Sequence, residues 1–307
     1  MAPKTLSGVS HSVSSSKGKE ASYEYYYRHG VSRRSYIIIA FGWVLLTVVY
    51  FSILYFFRES ETILGLKPAA EFCELSSDTP CNRTDLFAFQ VAAGIGLTIS
   101  AIIGLYSWHI SRRAHTILPS TPQGRLFGYL PEAEDLAAIS FCFQTWDFFI
   151  SLIIPEHATY LMLGHHIMAA TVSFCSIQYQ YLHYYGIFFL GITEVSSIFL
   201  VYVHLAKYFP PVPDTLFDKW VAIVCGPMFF LSFLYYRVFV WWPESWRLFR
   251  DVKAVVSSGQ AQKFRPGSTW VLYLFLALNL PLGLIQLYWT TIIFEEAHKV
   301  VSSVLTM

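Results

Sequence analysis

Seven apolar stretches of about twenty residues constrain this chain more than any other feature. As a helix, each stretch is long enough to cross the ~30 Å hydrocarbon core of a bilayer. Only 13% of the 307 residues are charged, whereas about a quarter are charged in a typical soluble protein. The sequence therefore predicts an all-α membrane protein with about seven transmembrane helices. The predicted spans are residues 36–57, 86–108, 136–154, 158–179, 184–203, 220–242 and 269–294.

The first span stands apart from the other six. Residues 1–35 are rich in serine and contain no apolar run, which predicts a disordered tail. Residues 36–57 form the first span, and residues 58–84 form a polar loop. The remaining six spans, within residues 85–294, are expected to form one membrane domain, followed by a C-terminal tail at 295–307.

The distribution of lysine and arginine predicts the orientation in the membrane. Of the 21 Lys and Arg residues, fourteen lie on the same side as the N-terminus, six lie on the opposite side, and Arg237 lies inside a span. Cytosolic segments carry the excess of these residues in membrane proteins. The N-terminus is therefore expected in the cytosol, and the 58–84 loop in a lumen.

The 58–84 loop carries two features typical of an oxidising compartment. Cys73 and Cys81 are close enough in sequence to form a disulfide, and such pairs are typical of lumenal or extracellular segments. Asn82 begins an Asn-Arg-Thr triplet, which is an N-glycosylation acceptor. We therefore predict a Cys73–Cys81 disulfide and a glycan on Asn82.

Four ionisable side chains lie far from the ends of their spans: Asp147, His165, His166 and Glu194. A charge at mid-bilayer costs at least ~2.5 kcal/mol on insertion scales, so such groups face the protein interior or a wet cavity. A carboxylate beside an imidazole would suit a general base or a nucleophile. The alternative is a hydrogen-bonded cluster that only holds the helices together.

The other polar residues in the spans favour structural roles. Arg237 is close enough to a cytosolic end to extend its head to the interface, and Asn279 and Gln286 are expected to bond neighbouring helices. Adjacent histidines on one helix do not form a metal-ligand pair, so no metal or other cofactor is expected. A net charge of +1, with no basic cluster among aromatics, argues against nucleic-acid binding.

Three stretches resemble, in this order, the core of the TLC-domain family. They are TWDFF at 145–149, GHHI at 164–167 and GITEVSSIFL at 191–200. That family includes ceramide synthases, translocon-associated membrane proteins and proteins of lipid homeostasis. The resemblance covers residues 85–294, and it implies a six-helix bundle around a lipid-sized cavity in the endoplasmic reticulum membrane.

The same resemblance separates two branches of the family. In ceramide synthases a histidine pair, a later His-Asp and a further Asp form the catalytic signature for acyl transfer from acyl-CoA. His165 and His166 match the first pair, but Thr193-Glu194 and Ser197 stand where the His-Asp and the last Asp are expected. The resemblance therefore favours the branch without ceramide synthase activity.

Three functions are compatible with these features. The first is a TLC-domain protein of membrane lipid homeostasis that binds, senses or remodels lipids. The second is an acyl-CoA-dependent acyltransferase with His165 or His166 as base or nucleophile and Asp147 or Glu194 as its orienting carboxylate. The third is a seven-helix receptor, which the cytosolic N-terminus disfavours. A retinal Schiff base is excluded in the last span, because residues 269–294 contain no lysine.

Overall fold

The computed structural model describes residues 30–60, 62–73 and 81–305, and most residues within these ranges are helical. One isolated bridge, between Ile63 and Leu66, is the only β pairing in that part of the chain. The all-α fold class is thereby confirmed. The predicted disorder of residues 1–29 lies outside the described residues.

The described residues form fourteen α-helices, several of which are continued by short π-helical or 3₁₀ turns. The α-helices are α1 Arg33–Phe57, α2 Ala70–Cys73, α3 Thr84–Leu105, α4 Arg113–Thr116, α5 Pro122–Phe127, α6 Pro131–Ser151, α7 Tyr160–Tyr179, α8 His183–Phe189, α9 Val195–Tyr208, α10 Leu216–Trp220, α11 Gly226–Ser232, α12 Trp241–Ser257, α13 Gln260–Phe264 and α14 Thr269–Leu305. π-helical segments at Tyr106–Ile110, Val221–Cys225 and Phe233–Val240 and a 3₁₀ turn at Ile192–Glu194 join these helices.

Six continuous helical stretches in the described part of the chain are long and apolar enough to cross a membrane. They are Arg33–Phe57, Thr84–Ile110, Tyr160–Tyr179, His183–Tyr208, Leu216–Ser257 and Thr269–Lys299. The predicted third span corresponds to α6, which forms as a helix but is not among the six. Its first turn carries Glu132, Glu134 and Asp135, and Asp147 follows later, so every 18-residue stretch of α6 contains at least three acids.

Two boundaries differ from those predicted. α1 begins at Arg33, three residues before the predicted span, because the hydroxyl of Ser32 accepts the backbone N–H of Ser35 and caps the helix. At the other end, α14 continues past residue 294, the predicted end of the last span, and reaches Leu305, so the residues predicted as a C-terminal tail are helical that far.

α6 lies at the centre of the bundle and packs against α1, α3 and α7, while α3 also packs along α9. A close backbone approach fixes α3 against the segment between α8 and α9. A Cβ added at Gly104 would lie 2.5 Å from the carbonyl carbon of Gly191, and a Cβ at Gly191 would lie 2.8 Å from the Cα of Gly104. Small residues at such crossings allow membrane helices to approach closely.

We expect Gly104→Ala to destabilise the protein, because the added methyl group would meet backbone atoms that cannot move independently. Overpacking of this kind costs about 1–3 kcal/mol. Gly164→Ala is the matched control, since a Cβ at this position in α7 meets nothing within 4 Å. The thermal unfolding midpoint of the purified protein in detergent should fall for Gly104→Ala and stay near wild type for Gly164→Ala. Equal midpoints for the two variants would contradict the crossing.

Candidate functional site

A row of polar side chains joins α6 to α7 inside the bundle. His166 Nδ1 lies 2.7 Å from Gln144 Oε1, and His166 Nε2 lies 3.2 Å from Asp147 Oδ1. Ser151 donates its hydroxyl to the same Asp147 oxygen at 2.8 Å. All four residues are buried, so this cluster holds a carboxylate next to an imidazole away from both lipid and water.

Helical spacing explains why this cluster forms. Gln144, Asp147 and Ser151 are three, four and seven residues apart, so they share one face of α6. One turn earlier on the same face, Ser140 accepts a 2.9 Å hydrogen bond from the hydroxyl of Ser173 on α7. The two helices are therefore joined by side-chain hydrogen bonds along their contact.

A narrow cavity lies next to this row, between α6, α7, α8, α12, α14 and the segments that flank them. Its empty volume, counted together with the space at its opening, is about 730 Å³, and a water molecule fits into only a small part of it. Most of the surface of its wall is apolar. The ionisable and amide side chains in the wall are Gln144, His165, Glu194, Arg237, Asn279 and Gln286.

The buried Arg237 forms an ion pair with the half-buried Glu194 at this cavity. Arg237 Nη2 donates to Glu194 Oε2 at 3.0 Å and to the hydroxyl oxygen of Ser197 at 2.9 Å. Its Nε donates to the carbonyl oxygen of Thr193 at 2.9 Å, and its Nη1 donates to Gln286 Oε1 at 3.2 Å. The guanidinium thus joins the π-helical segment Phe233–Val240 to the start of α9 and to α14.

The expected location of Arg237 at the cytosolic interface is wrong, because the residue is only 6% exposed and its head points into the bundle. The sequence did contain a signal for this partnership. Glu194 needs a compensating charge inside the bilayer, and Arg237 is the one cation within the predicted spans. Gln286, expected to bond a neighbouring helix, does so by accepting from Arg237.

The four predicted site residues separate into two groups. His165 and Glu194 line the cavity, whereas Asp147 and His166 lie behind Gln144 and are not among the described residues of its wall. Neighbouring helical residues point about 100° apart, and the two histidines follow this rule. The His165 ring packs against Trp289 with centroids 5.2 Å apart, while His166 contacts Asp147.

A third polar cluster lies outside the spans, at the end of the bundle that carries the 58–84 loop. This end is called the loop end below. Arg83 donates to both carboxylate oxygens of Glu156, at 2.5 and 2.7 Å, and also to Asp85. Cys73 and Cys81 form a disulfide in the same loop, with Cα atoms 5.5 Å apart. The loop is therefore fixed to the turn between α6 and α7.

Asn82 has a structural role in this loop. Its Nδ2, the atom that would carry a glycan, donates to the carbonyl oxygens of Phe57 at 3.1 Å and Arg58 at 2.8 Å. Asn82 thus caps the C-terminal end of α1, while its Oδ1 accepts from the backbone N–H of Thr84 at 2.9 Å. In the folded protein this nitrogen is engaged, and glycosylation of Asn82 stays a prediction.

A comparison with protein-family models matches the TLC domain over residues 87–295, more than half of the chain. The chain belongs to the TLC domain family, and the family resemblance is confirmed. A comparison with curated proteins gives no match. The matched region begins within α3 and ends within α14. It therefore contains the cavity, the Asp147–His166 cluster and the Arg237–Glu194 ion pair.

We expect the protein to lose stability when either Arg237 or Glu194 is removed alone, and to lose less when both are removed together. Removing one partner of a buried ion pair leaves an uncompensated charge and costs about 3–5 kcal/mol. Arg237→Met and Glu194→Gln should each lower the thermal unfolding midpoint in detergent, and the double variant should recover part of the loss. Single variants as stable as wild type would contradict a buried pair.

We expect the loop end of the bundle to be destabilised by acid. The Arg83 guanidinium lowers the pKa of Glu156 below 4.5, and burial lowers the pKa of His157 below 6.5. In both cases the unfolded chain takes up a proton more readily than the folded one, so stability falls as the pH falls. The loss of stability that His157 causes begins below pH 6.5, and the loss that Glu156 causes begins below pH 4.5.

The measurement is the unfolding midpoint in detergent between pH 7.5 and pH 4. His157→Phe is the informative variant, because it keeps an aromatic ring beside Phe89, whose ring centroid lies 4.3 Å from that of His157. This variant should have a smaller loss of stability than wild type between pH 7 and pH 5.5. An identical loss in both proteins would contradict the assignment to His157.

Proposed function

We propose that this TLC-domain protein acts in membrane lipid homeostasis by holding the acyl chain of a lipid in its internal cavity. One observation carries the proposal. The cavity is too narrow for a bulky headgroup, and most of the surface of its wall is apolar. Aromatic and aliphatic members of this wall are Val172, Leu182, Phe189, Leu190, Trp241, Leu248, Phe275 and Leu282.

The charges in the cavity wall support an uncharged occupant. Glu194 compensates Arg237 at 3.0 Å, and Arg237 already donates to carbonyl, hydroxyl and amide oxygens of the protein. A phosphate or carboxylate in the cavity would therefore have to displace Glu194. A hydrocarbon chain needs no such exchange, since it gains only apolar contacts.

The same interactions support placement in the branch without ceramide synthase activity. Glu194 and Ser197 occupy positions where the ceramide synthases have acids of the catalytic signature, and here both bind Arg237. Their oxygens are committed to an ion-pair network that connects helices. Residence in the endoplasmic reticulum with a cytosolic N-terminus is part of the proposal. The cation bias supports this orientation, and so does the disulfide in the opposite loop.

An acyl-CoA-dependent acyltransferase is the second candidate, and the 3.2 Å contact between His166 and Asp147 favours it. A carboxylate in this position can orient an imidazole and raise its basicity. Against it, His166 lies behind Gln144 rather than in the cavity wall, and no carboxylate lies within ion-pair distance of His165 in the described structure. We therefore place lipid binding first and acyl transfer second.

Filling the cavity tests the proposal. A Cβ at Gly186 meets nothing within 4 Å, and this residue lines the cavity, so Gly186→Leu should occupy chain space without a backbone clash. We expect wild-type protein to co-purify with lipid and Gly186→Leu to retain less of it. Gly164→Leu is the control, because Gly164 is equally open but does not line the cavity. Equal lipid content in all three proteins would contradict the proposal.

Cells that lack the protein separate the two candidates. Complementation with wild type should restore the phospholipid acyl composition, and complementation with Gly186→Leu should not. If the protein only binds lipid, His166→Gln should change the lipid composition only as far as it lowers the abundance of the protein. If the protein transfers acyl groups, the same variant should lower the acylated product by on the order of 10²-fold at normal protein abundance, because a general base is lost. Measuring lipids and protein level together distinguishes these outcomes.

A further inference from the structure

The face of α12 that points away from the bundle differs from the lipid-facing surfaces of the other helices. The stretch Leu216–Ser257 has 42 residues, which corresponds to roughly 63 Å at the rise of an α-helix. The hydrocarbon core is only about 30 Å thick. The charged part after Trp242 therefore emerges from the membrane, with neighbouring tryptophans at the level where aromatic residues mark the interface.

Charge is segregated across α12. Its two acids, Glu244 and Asp251, are both buried, and each is bound by an arginine. Asp251 receives two hydrogen bonds from Arg125, at 2.6 and 2.7 Å. As a result, the exposed charges of α12 and the following α13 are all positive. They belong to Arg247, Arg250, Lys253 and Lys263.

Two aromatic side chains accompany these cations. Trp246 is 62% exposed and Phe249 is 43% exposed. Their rings stack on each other with centroids 5.4 Å apart. Trp246, Arg250 and Lys253 follow at intervals of four and three residues, so they share the outward face of the helix. No acid lies within ion-pair distance of Arg250 or Lys253 in the part of the chain that the structure describes.

We propose that this outward face of α12 is a binding surface for the headgroups of anionic phospholipids. An interfacial helix with aromatic anchors and exposed lysine or arginine is attracted to anionic lipid, and the cytosolic leaflet carries such lipids. The surface lies on the side that the cation bias assigns to the cytosol. It is separate from the cavity and does not depend on the occupant of the cavity.

The experiment compares two headgroups on the full-length protein. Purified protein is equilibrated in detergent micelles that contain equal amounts of phosphatidylserine and phosphatidylcholine with the same acyl chains, and native mass spectrometry gives the ratio of the two bound lipids. Lipid held by its chain in the cavity contributes equally to both, so the ratio reports headgroup recognition. We expect wild type to retain several times more phosphatidylserine, and we expect 1 M salt to reduce the ratio because exposed charges are then screened.

The double variant Arg250→Gln/Lys253→Gln should lose most of this preference and bring the ratio close to one, given the attraction of each cation near an anionic surface. The matched control is Lys207→Gln/Lys219→Gln, which removes two exposed cations at the opposite end of the bundle and should leave the ratio unchanged. Equal retention of both lipids by wild type, a salt-independent ratio, or equal losses in the two double variants would overturn the proposal.

Discussion

The ion pair between Arg237 and Glu194 is the interaction on which the interior of this bundle depends. An isolated charge inside a bilayer is expensive, so neither residue can face lipid, and each requires the other. Arg237 also donates to Thr193, Ser197 and Gln286, and it thereby holds three separate parts of the chain around one point. The cavity lies between these segments, where they do not pack fully against each other. Because Arg237 and Glu194 compensate each other, this part of the cavity wall has no net charge.

This arrangement connects the fold with the proposed function. The approach of Gly104 to Gly191 fixes α3 next to the 3₁₀ turn that presents Glu194. The row from Ser140 to Ser151 holds α6 against α7, which carries His165 into the cavity wall. The wall is thus built from helices that are fixed by polar contacts, while the space between them is apolar and narrow. Such a space suits an acyl chain better than a charged headgroup.

The sequence predicted the membrane class, the approximate spans and the four ionisable residues inside the bundle, because apolar length and isolated charges are local properties. It did not predict which of these residues meet. His165 faces the cavity and His166 faces α6, and this depends on how α7 is rotated about its axis. Arg237 points inward, and this depends on the π-helical segment that contains it. The extent of α14 beyond residue 294 was missed because Glu295, Glu296 and Lys299 resemble the start of a polar tail, yet they continue the helix.

The central claim is that an acyl chain occupies the cavity, and photolabelling tests it most directly. Cells that express the protein are fed a fatty acid with a diazirine in the middle of its chain, and the crosslinked peptides are identified after irradiation. The account predicts labelled peptides from α8, where Tyr185, Gly186 and Phe189 line the cavity, in addition to labels on outward helices. Labels confined to lipid-facing surfaces such as α1, with none on α8, would contradict it.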